Sequence, residues 1–183
     1  MNPDLVVQAT RRWVQDVVID LNLCPFARRE LVNDRIRFSV SEADTEDALL
    51  ADLQRELLQL TDDDSIETTL LVHPAVLQAF HDYNDFLAVA DGLIQLLDLE
   101  GTIQIASFHP DYRFADTEPD AVENTTNRSP YPMLHLLREA SLERAIAAYP
   151  DTDEIPRRNI ARVEAIGREA MAALLASCFP DAH

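Results

Sequence analysis

At 183 residues and 47% apolar, the chain is long enough to bury a core without disulfides or a structural metal, and a single globular domain over 1–183 is expected. A formal net charge of −18 at pH 7 argues against general affinity for nucleic acid or anionic membranes, since both need a cationic surface. Every cationic side chain is an arginine, and the glycines are only Gly92, Gly101 and Gly167, which removes Schiff-base and Walker-type lysines, the P-loop and the dinucleotide fingerprint.

Pro3 to Leu21 places Leu5, Ala9, Trp13, Val17 and Leu21 at four-residue intervals, the pattern of an amphipathic helix that Cys24-Pro25 ends. The opening segment carries Asp4 and no uninterrupted apolar run, and no later segment is apolar for long enough to span a bilayer, so a cytoplasmic protein is expected. Arg35 to Ser41 alternates Ile36, Phe38 and Val40 with polar residues, as a half-buried strand does. Asp44 to Asp47 then caps a helix through Leu60, whose apolar stripe is Leu49, Leu53, Leu57 and Leu60. Ile66 to Val72 and Thr102 to Phe108 read as strands, and each stops at a His-Pro pair, His73-Pro74 and His109-Pro110. Between them Val76 to Leu99 reads as helical, with a break near His81-Asp82 and a left-handed exit at Gly101.

Helix-length crossovers between short strands predict an α/β fold with a small, mostly parallel sheet of roughly three to four strands. The alternative is a ferredoxin-like α+β sandwich with a strand still unidentified. Pro132 to Tyr149 reads as one or two helices, and Ile155 to Phe179 as a closing helix with Ile160, Val163, Ala170 and Leu174 inward.

The glycine-free stretch from Ser107 to Glu139 joins the last predicted strand to a helix, the place where open α/β sheets put ligands. In extended chain His109, Asp111 and Arg113 share a face, which would suit a histidine acid/base oriented by a carboxylate. Asn124, Asn127 and Arg128, followed by Ser129-Pro130 at a helix start, would suit a phosphate or carboxylate, although Ser129 also fits an ordinary N-cap. Tyr131, His135 and Arg138 fall on one helical stripe, facing either the same cleft or solvent. Cys24 is a candidate nucleophile if a histidine lies close, and otherwise packing, while Cys178 reads as packing. A metal set could be drawn from Cys24, His73, His109, Asp111 and His135, but no metal-binding spacing is present, and no cofactor is identified.

The segments LNLCPFA at 21–27, FHPDYRFADT at 108–117 and NRSPYPMLHLLREAS at 127–141 resemble the bacterial family called domain of unknown function 1415. The resemblance implies a bacterial, intracellular protein and brings no activity with it. From the residues, the leading expectation is a protein that binds or transforms a small anionic metabolite. Arg113, Arg128 and Arg138 would hold the anion with Asn124 and Asn127, His109 and Asp111 would serve as acid/base, and His135 and Cys24 would assist, so hydrolysis or group transfer is the chemistry in view. The alternatives are a non-catalytic binding or assembly protein, whose arginines pair with surplus carboxylates, and a metalloprotein. Oligomeric state is not legible.

Overall fold

The computed structural model describes residues 1–149 and 151–180; His183 lies outside them. Helix α1 (Pro3–Arg12) begins where the Asn2 side chain accepts the Asp4 N–H, then widens into a π-helical segment, Trp13–Ile19. A short helix α2 (Ala27–Val32) leads to strand β1 (Ile36–Val40). The Thr45 hydroxyl caps α3 (Glu46–Asp62), as its sequence predicts, and the chain continues through β2 (Thr68–Val72), α4 (Phe80–Leu96) and β3 (Ile103–Phe108). Gly101 takes the expected left-handed conformation, with φ at 73°. The stretch after β3 holds a 3-10 segment, Val122–Asn127, and then β4 (Met133–Arg138), α5 (Glu139–Ala148), α6 (Ile155–Ile166) and α7 (Arg168–Ser177) follow.

The α/β expectation holds. The strands lie in the order β1-β2-β4-β3, with β1 parallel to β2 and β4 antiparallel to both β2 and β3. Three strands therefore run one way, and β4 is inserted against them. β4 is also the correction to the sequence reading, which made 132–149 helical. Its residues Met133, Leu134 and Leu136 are buried on both sheet faces, and a short run that is apolar all round cannot be told from a buried helix by periodicity.

Two consequences follow. No helix starts at Ser129-Pro130, where the Ser129 hydroxyl donates to the Tyr131 carbonyl, so the predicted anion-binding helix terminus is absent. The stripe of Tyr131, His135 and Arg138 does not form either, because strand alternation sends His135 and Arg138 to opposite faces. Two smaller differences are that Leu5 is exposed while Val6 and Thr10 are buried, and that Gly167, with φ at 85°, divides the predicted closing helix into α6 and α7.

Helices cover both faces of the sheet. On one side α3 and α4 pack Leu49, Leu53, Leu57, Phe86 and Ala90 against Leu71, Leu134 and Leu136. The Tyr83 hydroxyl ties this layer to the sheet, donating to the Met133 carbonyl and accepting the Phe108 N–H. Glu56, buried among these leucines, is held by Arg37 Nε at 2.6 Å and by the Ser39 hydroxyl at 2.9 Å. On the other side α1, the π segment, α6 and α7 pack Val6, Trp13, Val17, Val163 and Met171 against Ile36, Leu70, Val72 and Met133. Between this second layer and the sheet lies the apolar cavity described below. Among the described residues, no helix is long and apolar enough to cross a membrane.

Candidate functional site

The residues predicted at 109–128 form a tied loop. The Asp111 backbone N–H donates to His109 Nδ1 at 3.0 Å, so the proton sits on Nε2, which donates to the Leu77 carbonyl at 3.1 Å. Asp111 orients His109 through its main chain and not through its carboxylate. Both ring nitrogens are occupied in a fully buried side chain, and burial holds the pKa below the usual 6.5 against the opposing pull of Leu77 and Asp111. The Leu77 that receives this bond stands at φ 56°, a conformation that leucine seldom adopts.

Asn124, also fully buried, accepts the Phe114 N–H and the Thr117 hydroxyl and donates to the Glu118 carbonyl. Arg113 Nε donates to the Thr117 carbonyl, and Arg128 donates to the carbonyls of Tyr112 and Pro119. Arg138 gathers the carbonyls of Ile66 and Asp63 at the end of α3. All three guanidinium groups thus hold main chain in place.

A different group of predicted residues converges. Cys24, Asn127 and His135 line one cavity of about 330 Å³ between the sheet and the second helical layer, and Arg138, whose guanidinium turns away to the end of α3, borders it. The π segment supplies Trp13, Val14 and Val18 to its wall, and Leu70, Ala106 and Phe108 come from the sheet. Wide π turns of this kind often sit beside functional sites. His135 occupies the middle of the cavity floor, since the register places it between Leu70 on β2 and Ala106 on β3.

The His135 ring is fixed by its neighbours. Thr68 Oγ1 lies 2.6 Å from the Leu136 carbonyl, which can only accept, so the hydroxyl proton points there. The same oxygen is 2.7 Å from His135 Nε2 and must therefore accept from it. The neutral ring carries its proton on Nε2, and its Nδ1 lone pair has no protein partner among the described residues. Burial pushes the pKa down to about 4, so the ring is neutral at physiological pH.

Cys24 stands just before α2, where the nearby Phe26 and Ala27 main chain favours the thiolate, but burial outweighs this and raises the thiol above its ordinary value. No hydrogen bond joins Cys24 to His135 among the described residues. The metal set considered from sequence does not assemble: among the described residues, no three His, Cys, Asp or Glu side chains group for an ion.

Sequence reasoning missed Thr68, Trp13 and Glu30. Trp13 is the chain's single tryptophan, a signal available in composition, whereas the role of Thr68 depends on a strand pairing that the helical reading of 132–149 concealed.

The fold is an α/β arrangement with a four-stranded mixed sheet and a largely apolar cavity on one face. A family model described as protein of unknown function, DUF1415, matches residues 5–173, and the chain belongs to that family. Neither a curated protein nor a solved structure matches it.

Proposed function

We propose that the protein binds a small, mostly apolar molecule in the cavity over β2, β4 and β3, and that His135 Nδ1 is the group that recognises it. The observation that carries this reading is the tautomer lock: Leu136, Thr68 and His135 form a relay that leaves one unpaired acceptor on the floor of an apolar cavity. Apolar pockets with a few fixed polar groups are the usual form of a small-molecule site. The anionic-metabolite reading is less favoured, because Arg113, Arg128 and Arg138 already donate to carbonyls.

Recognition is favoured over proton abstraction by the low pKa. An imidazole that protonates near pH 4 is a weak general base at neutrality, although a cationic or strongly polarised ligand would interact with it fully. Group transfer to Cys24 is the second reading. It is supported by the cavity that Cys24 shares with His135.

Trp13 lines the cavity and is the only tryptophan, so its fluorescence reports occupancy. Titration with a library of small aromatic and aliphatic fragments should change Trp13 emission in a saturable way. Ala106→Phe, which fills the cavity beside His135, should abolish the response while the fold survives. Binding that persists unchanged in the filled variant would place the ligand elsewhere and end this reading.

A further inference from the structure

The hydrogen-bonding capacity of the cavity wall is lopsided. Three of its stronger donors already serve the protein: Trp13 Nε1 donates to the Arg128 carbonyl at 3.0 Å, Asn127 Nδ2 to Ser107 at 3.2 Å and Asn159 Nδ2 to Leu23 at 2.7 Å. Thr68 and Arg138, also on the wall, donate to carbonyls as described. Two acceptors on the wall are left over. Among the described residues His135 Nδ1 has no hydrogen-bond partner, and Glu30, a carboxylate on the same wall, has a buried Oε2 that receives no hydrogen bond. The nearest cation to that oxygen is Arg35 Nη1 at 3.9 Å, and Arg35 is turned toward Glu67 at 2.6 Å.

Unpaired acceptors in an apolar enclosure favour a ligand that donates, and disfavour one that brings further lone pairs or negative charge. The field of the whole chain, at a net charge of −18, works in the same direction by concentrating cations and repelling anions. From these two independent observations we infer that the ligand is an amine: a primary or secondary ammonium group on an apolar body. The N–H groups meet His135 Nδ1 and the Glu30 carboxylate, and the body packs against Trp13, Leu70 and Phe108. This specifies the ligand class for the cavity reading above and rests on it.

The test is a matched set of four probes of similar shape, 2-phenylethylamine, 2-phenylethanol, ethylbenzene and 3-phenylpropanoate, titrated at pH 7.5 with Trp13 emission as readout. The amine should bind tightest and the carboxylate weakest, with about tenfold or more between them. Glu30→Gln should narrow the gap between amine and alcohol, and the selectivity of the wild type stands as evidence whether or not that variant folds. Equal binding of all four, or preference for the carboxylate, overturns the amine inference and leaves the cavity reading intact. If no probe binds, both fall.

Discussion

Acid should destabilise this protein in a pH range where its carboxylates are still ionised, because desolvation disfavours the charged form of two imidazoles, His73 and His135. His73 is fully buried. Its Nδ1 donates to the Val76 carbonyl at 3.0 Å, and its Nε2 has no partner among the described residues. His135 donates through Nε2 to Thr68 and faces an apolar cavity through Nδ1. Burial pushes both rings from 6.5 down to about 4. A folded-state pKa below the unfolded one means that the unfolded chain takes up protons first. Stability is therefore intact above pH 6.5 and is lost as pH falls toward 4. A fall from 6.5 to about 4 corresponds to about 3 kcal/mol for each ring, and the pair to about 7 kcal/mol, a large part of the stability of an ordinary domain. Between about pH 5 and 6 the unfolded chain holds between one and two extra protons, and stability should fall by about 2 kcal/mol per pH unit. His109, depressed in the same direction, would steepen the slope. Urea unfolding at closely spaced pH values measures the slope, and a carbon-13 titration of the ring Cε1 resonances assigns it. A flat stability profile from pH 6.5 to 5, or either ring protonating near 6.5 in the folded protein, would show the reasoning to be wrong.

Further outcomes follow from individual side chains. Thr68→Val removes the hydroxyl that fixes His135 and should cost about 1–2 kcal/mol in urea unfolding, with the ring nitrogens losing their single-tautomer signature; an unaltered nitrogen-15 pattern would contradict the relay. Arg37→Leu leaves buried Glu56 without its cation and should destabilise by about 3–5 kcal/mol, while the double change with Glu56→Leu should restore most of the loss; additive losses would count against the pairing. Because burial raises its thiol pKa, Cys24 should react with iodoacetamide at pH 7.5 more slowly than an exposed cysteine in a short peptide, and cavity ligands should slow it further; a faster reaction would indicate a thiolate.

Much of the fold could be read from local pattern. The alternation of Ile36, Phe38 and Val40, the Thr45 cap, the leucine stripe of α3 and the Gly101 exit all carry periodicity or backbone signals that act over a few residues, and the structure has each of them. β4 carries no such signal. Met133-Leu134-His135-Leu136-Leu137 is enclosed on both faces, so neither the helical nor the strand period marks it, and its place between β2 and β3 depends on contacts distant in sequence.

The misreading of β4 also governed what could be said of the site. Cys24 and His135 were both among the predicted residues, and the structure sets them in one cavity. His109, Asp111, Arg113, Asn124 and Arg128 have the chemistry of a ligand site, but here their polar atoms replace the regular hydrogen bonds that a long loop lacks. Residue type alone does not separate these two uses of a polar side chain. Partner accounting does, because a binding group must have an atom left over, and His135 Nδ1 is such an atom.

The nitrogen-15 spectrum of the His135 ring, recorded at pH 7.5 with and without saturating 2-phenylethylamine, tests that claim directly. The free protein should show a protonated Nε2 and a bare Nδ1, and the amine should move the Nδ1 resonance strongly while Nε2, held by Thr68, stays nearly still. A proton on Nδ1 in the free protein, or an amine that saturates Trp13 emission without moving Nδ1, would contradict the account.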